Sequence, residues 1–290
     1  MGGKREHFDR SIGASAAWVE HFSRSLSRED IVRGDTKILL PEVERDAIAL
    51  SVQEFQLGES SEGRHLISAA SRYAAYSGDF DYVTALRLFI AEENRHAKEL
   101  GRFLDLAGIP RVGHSMTDTV FRFMRRRAGL ELSIAVLVTA EIIAKVYYAA
   151  LRDATGSRTL QHLCTQILRD ERHHVIFQAQ RVALLRAQRS RWAIFVRVAL
   201  HKLLLGGTCV IVWRRHGRAM RGGGMRFLQF WKLTWREMHR AVADMDPANY
   251  PALSGKSAKP RHNDEGATTS QPSDSHPAPD LLQLTSEDVT

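Results

Sequence analysis

Two short runs carry residue types suited to binding a metal ion: Glu92-Glu93-Asn94-Arg95-His96 and Asp170-Glu171-Arg172-His173-His174. Each holds a Glu-x-x-His pair, Glu93 with His96 and Glu171 with His174. On a helix, positions i and i+3 share a face, so carboxylate and imidazole point at one ion. His173 forms a competing i, i+3 pair with Asp170. It projects about 100° away from His174, and the first run has no counterpart to it, which favours His174.

Each pair is preceded, about thirty residues upstream, by another glutamate. Glu62 lies 31 residues before Glu93, and Glu141 lies 30 before Glu171. A glycine separates the members of each couple: Gly78, followed by Asp79, and Gly156, followed by Ser157. Glycine ends helices, and Asp or Ser begins them as an N-cap. Each half of the chain therefore reads as a helical hairpin. Glu62 and Glu93 stand 16 and 15 residues from their turn, and Glu141 and Glu171 each stand 15 from theirs. Residues equidistant from an antiparallel turn lie at one level, so two hairpins bring four carboxylates and two imidazoles into one layer. Glu59 shares a face with Glu62 and is the alternative, but the spacing favours Glu62.

This pattern resembles the ferritin-like di-iron carboxylate superfamily, whose members include bacterioferritin, rubrerythrin and the small subunit of ribonucleotide reductase. Their bundles place one Glu on each of two helices and a Glu-x-x-His on each of the other two. The resemblance covers roughly residues 42–188, and Gly58-Glu59-Ser60 looks like the corresponding stretch of rubrerythrins. It implies an all-α fold, a ferritin-like four-helix bundle, with two Fe ions (or mixed Fe/Mn) held by Glu62, Glu93, His96, Glu141, Glu171 and His174. Metal-bound histidines usually donate their other ring N–H to a carboxylate. Here Asp170 is placed to serve His96, and Glu92 to serve His174, across the bundle.

Helices at the right places are needed to position these residues. Pro41 with Glu42, Glu44 and Asp46 is a helix start. An apolar stripe from Ile48 to Tyr73 carries that helix to about Tyr76, with Gly58 and Gly63 marking a kink or two helices end to end. The second helix runs from about Phe80 to Leu106, with a 3.6-residue apolar period around Glu93 and His96, and Gly108 and Pro110 end it. Residues 107–128 are basic and form the long crossover; 22 residues suffice to span a 25-residue helix of about 38 Å. The third helix, about Leu130 to Arg152, is strongly apolar, with Glu141 standing within it. A bare carboxylate there needs a cation or a proton, and Lys145, at i+4, is the salt-bridge alternative to a metal. The fourth runs from about Ser157 to Gln188. Tyr147 and Tyr148, two turns from Glu141, are candidates for radical chemistry or for packing.

The organisation expected is an N-terminal extension over 1–40, the bundle over 41–188, extra basic and aromatic helices over 189–250, and a disordered tail over 251–290. Ser11 to Ser25 could form a short amphipathic helix. The apolar run Leu203 to Trp213 is too short to span a bilayer, and the arginines and tryptophans after it suit either packed helices or an interfacial segment. The chain has 290 residues and a net charge of +8, which favours an anionic partner such as an acidic carrier protein or a membrane surface. Only Cys164 and Cys209 occur, so a disulfide framework and a Cys-ligated metal site are excluded. The cysteine usage and a polar start from Met1 to Arg10 fit a cytoplasmic protein, peripheral at the inner face of the membrane if the interfacial reading holds.

Carboxylate and imidazole ligands suit iron or manganese rather than structural zinc. The function expected is an O2- or peroxide-dependent oxidoreductase of oxidase, hydroxylase or desaturase type, with an unknown electron donor, and a homo-oligomer is one assembly open to it. The alternatives are a ferroxidase or iron-handling protein, and a non-catalytic binding or membrane-associated bundle.

Overall fold

The computed structural model describes residues 15–60, 63–114 and 129–250, and all regular structure among them is helical. The helices are α1 (Ser15–Leu26), α2 (Glu42–Glu59), α3 (Arg64–Ser77), α4 (Phe80–Leu106), α5 (Leu130–Ala154), α6 (Arg158–Arg186), α7 (Arg191–Gly222) and α8 (Phe227–Asp244), with a short 3-10 turn at Pro247–Asn249. The expected tail, the residues before 15, Glu62 and the part of the crossover over 115–128 lie outside the described residues.

Both hairpin turns follow from local chemistry. Gly78 closes α3 in the left-handed conformation at φ 77°, and the Asp79 carboxylate then accepts the Tyr82 amide to start α4. At the second turn Ser157 caps α6 by accepting the Leu160 amide. Glu44, reaching over from α2, accepts from the Gly156 amide and the Thr155 hydroxyl and ties this turn to the first hairpin.

The first long helix is two helices. α2 stops at Glu59, and Gly63 sits at φ 60° before α3 begins. A Cβ at Gly63 would lie 2.2 Å from the Ile90 side chain, so glycine lets this break press against α4. α2 and α3 pack on α4, α5 packs on α6, and the two hairpins face each other to form a ferritin-like four-helix bundle. α7 lies against α5 and α2, α8 lies against α5 and α6, and α1 covers α4. Phe22, Trp18, Phe89 and Phe177 form an aromatic cluster that joins α1 to the core.

Candidate metal centre

Glu59, Glu93, His96, Glu141, Glu171 and His174 converge inside the bundle as two overlapping groups. Glu59, Glu93, His96 and Glu171 each offer one ligand atom, all within 4.8 Å of one another, and so do Glu93, Glu141, Glu171 and His174. Glu93 and Glu171 belong to both groups. Two adjacent cations would need that sharing: two carboxylates in common, and one further carboxylate and one imidazole for each ion.

The Glu59 carboxylate occupies the place that equal spacing from the turn assigned to Glu62. Counting residues from Gly78 assumes one continuous rise of 1.5 Å per residue. The break between Glu59 and Arg64 interrupts that rise, and Glu59, at the last turn of α2, is buried. Gly63, which caps the start of α3, was the signal in the sequence for that break. His173 stays out of the cluster; its Nδ1–H donates to the Arg169 carbonyl at 3.0 Å, and its ring packs on His21.

Orientation of the imidazoles comes from an outer layer of acids. His96 donates its Nε2–H to Asp170 at 3.2 Å, and His174 donates its Nε2–H to Glu92 at 2.8 Å. Each ring therefore turns Nδ1 inward. His174 Nδ1 lies 2.9 Å from Glu93, 3.6 Å from Glu171 and 3.7 Å from Glu141. His96 Nδ1 lies 3.8 Å from Glu93 and 3.9 Å from Glu59. The outer acids have cations of their own. Arg95 reaches Glu92 at 3.4 Å and Asp170 at 3.2 Å, and Arg28 reaches Asp170 at 2.7 Å. Ser25 of α1 donates its hydroxyl to Glu92, while Gln166 donates to Asp170. Sequence reasoning missed Ser25 and Arg28, because they enter from an extension with no motif of its own.

The two acids common to both groups are left unsatisfied, Glu93 in part and Glu171 wholly. Glu93 Oε1, both oxygens of Glu171 and Nδ1 of His96 and His174 are buried without a hydrogen-bond partner among the described residues. Buried polar groups are rarely left so. Lys145, the alternative partner for Glu141, instead meets Glu237 of α8 at 2.5 Å. Among the described residues no lysine or arginine forms an ion pair with the inner four carboxylates. Burial, reinforced by a neighbouring acid (Glu93 for Glu59, Glu141 for Glu171), pushes both Glu59 and Glu171 well above the usual carboxylate range. For His174 burial acts downward, but the surrounding acids outweigh it and hold the ring protonated well above its ordinary value. Burial also works against Asp170 as a carboxylate, yet the His96 hydrogen bond and nearby positive charge hold it well below. A cluster of this kind must take up either protons or cations. Its oxygen and imidazole donors, lacking thiolate, fit two ions of the iron and manganese type.

Other polar and aromatic groups frame the cluster. Tyr148 donates to Glu59 at 2.6 Å, which places one of the two candidate tyrosines against a candidate ligand. Tyr147 instead stacks on Phe55 with ring centroids 3.5 Å apart. Phe89 meets His174 edge-on at 4.8 Å, and Phe22 of α1 lies at 6.0 Å from the same ring. Cys164 and Cys209 are buried, and burial pushes both thiols up, so neither is reactive.

No protein-family model matches the sequence, and no curated protein matches it. Among solved structures the chain is similar to a point variant of an R2-like ligand-binding oxidase with an aerobically reconstituted Mn/Fe cofactor. The TM-score is 0.56 at 15% identity, over 83% of this chain and 96% of that one. At that identity the likeness establishes the fold, which is ferritin-like.

Proposed function

We propose that this chain holds a dinuclear iron or manganese/iron centre and is an oxidoreductase that uses O2 or peroxide. The observation that carries the reading is the pair of overlapping ligand groups with their unsatisfied inward atoms. The fold shared with an oxidase that carries a Mn/Fe cofactor supports it. In this reading Glu59 and His96 would hold one ion, Glu141 and His174 would hold the other, and Glu93 and Glu171, which belong to both groups, would serve both. Once bound, such a pair supplies one-electron and oxygen chemistry that no side chain supplies alone.

The chain's own groups prepare the site for that role. Asp170 and Glu92 accept hydrogen bonds from the Nε2–H groups, so at neutral histidine both Nδ1 atoms remain available as lone-pair donors. Arg95 holds the two outer acids in register, because it bonds to both. Tyr148 orients the Glu59 carboxylate, and Phe22, Phe89 and Phe177 exclude water from the His174 side.

The test is metal content after anaerobic loading with Fe(II), alone or with Mn(II), followed by exposure to O2. About two ions per chain is the expectation for such a site, with an absorption change that depends on O2. Absence of binding under both conditions would overturn the proposal. Continued oxidation of added Fe(II) far beyond that stoichiometry, with iron retained, would instead identify an iron-handling protein.

A further inference from the structure

α7 is 32 residues long and apolar enough to cross a membrane, yet only 22% of its most apolar window is buried. Its exposed residues are not scattered. At 100° per residue, Trp192, Phe195, Leu200, Leu203, Val210 and Ile211 fall on one side of the helix and all are exposed. Trp192 and Leu203 are 72% and 74% exposed. The stripe runs about 30 Å along the helix, given a rise of 1.5 Å per residue. Contiguous exposed apolar surface on this scale marks an interaction site.

Charge then selects the kind of partner. α7 contains no Asp or Glu, and beyond Ile211 the same side of the helix continues as Arg214, Arg218 and Arg221, all exposed. Alongside, Lys232, Arg236 and Arg240 of α8 edge a shallow cleft with Trp231 and Trp235. The opposite side of α7 is fixed in the protein. Leu205, Cys209 and Val212 are buried there, Arg197 pairs with Glu131 at 3.2 Å, and Arg215 pairs with Glu54 at 2.6 Å. A helix held this way cannot thread a bilayer, but it can lie on one.

We infer that the exposed side of α7 seats the protein on an anionic lipid bilayer, with its apolar stripe among the acyl chains and its arginines at the headgroups. An interfacial helix has this composition, with a large apolar face and basic residues beside it. Each surface Lys or Arg adds to the attraction to an anionic leaflet. A second copy of the chain is disfavoured, because a parallel two-fold contact would set arginine against arginine, and an antiparallel one would lay Arg214, Arg218 and Arg221 on the partner's apolar half. Apart from the Trp192 indole N–H, the side chains of the stripe also carry no hydrogen-bonding group. A fluid lipid phase accepts such a surface, whereas a protein interface carries paired polar groups.

The experiment is flotation of the full chain with vesicles of phosphatidylcholine plus phosphatidylglycerol, compared with phosphatidylcholine alone. Binding should require the anionic lipid and fall as salt is raised. Leu203→Glu should reduce the bound fraction by about tenfold, since it replaces an inserted side chain with an acid. Arg214→Glu combined with Arg218→Glu should do the same. Both sites are exposed, so helix content, melting temperature and metal content should stay unchanged in the variants. Trp192 fluorescence should shift to the blue on the anionic vesicles, and that component should vanish in Trp192→Phe. Lack of flotation, equal flotation on both vesicles, or variants that float like the parent would overturn the inference. So would a dimer in solution that Leu203→Glu dissolves, because the stripe would then belong to a second copy.

Discussion

Helix α5 carries two buried acids ten residues apart, and the chain treats them in opposite ways. Glu131 receives Arg186 at 2.8 Å, Arg189 at 3.2 Å and Arg197 at 3.2 Å. Among the described residues Glu141 receives no guanidinium or ammonium; His174 lies 3.7 Å away. Both are nearly sealed from solvent. Around Glu131 the protein has built its own counter-charge from two helices and the turn between them. Around Glu141 it has gathered three more carboxylates, which raises the cost of the bare cluster rather than lowering it. A buried acid with arginines is a structural element. A set of acids that excludes arginine, while arginines serve the outer acids one layer away, is a receptor for a cation from outside.

Substitutions can break or sharpen this contrast. The largest effect is expected at the shared carboxylates: Glu93→Ala and Glu171→Ala should each abolish retention of both ions, read by elemental analysis, while helix content survives. Next is Glu131→Ala, which strands a buried guanidinium and should destabilise the protein by about 3–5 kcal/mol in denaturant titration. Its metal stoichiometry should remain that of the parent. Asp170→Asn and Glu92→Gln keep the shape of the outer layer but weaken its hold on the imidazoles. Each should lower metal affinity about 10–100-fold in competition with a chelator.

The pH dependence of stability should differ in sign between two of the inner acids, Glu59 and Glu171, and an arginine-paired acid, Asp79. Glu59 and Glu171 have raised folded-state values, so their contribution is present at low pH and is lost as pH rises through those values. Asp79 is the reverse. Burial opposes its ionisation, but the Arg181 pair at 2.7 Å holds it low, so its contribution is present at neutral pH and is lost as pH falls through its folded value. Thermal melts of the metal-free protein from about pH 5 to about pH 8 should therefore slope downward with pH. Metal loading should flatten that slope, because it replaces the protons. The smallest effect is expected for Lys145→Met. It removes the partner of Glu237 and should cost about 1 kcal/mol or less, with metal content unchanged. Loss of metal in that variant would mean that Lys145 serves Glu141 after all.

Much of the site was legible because helical geometry is local. The i, i+3 spacing placed each Glu with its His, and the Gly-Asp and Gly-Ser turns set the level at which the helices of each hairpin meet. The acid preceding each motif indicated the crossed pairs, Asp170 with His96 and Glu92 with His174, that the structure shows as hydrogen bonds. Glu59 was less legible. A break of a few residues at Gly63 changes both the rise and the facing of everything before it, and residue counting cannot follow the chain through it.

What the sequence determined by itself is therefore the set of helices and the presence of an acid and imidazole layer in the bundle, since both depend on periodicity within one element. Only the tertiary structure decided which acids share partners. Whether Lys145 meets Glu141 or Glu237, and whether Ser25 and Arg28 reach the outer acids, depends on how separate helices dock. The same holds for the apolarity of α5 and α7. Both helices are long and apolar, but 83% of the apolar window of α5 is buried against 22% in α7. Hydrophobicity is a property of the residues, while burial is a property of what packs against them.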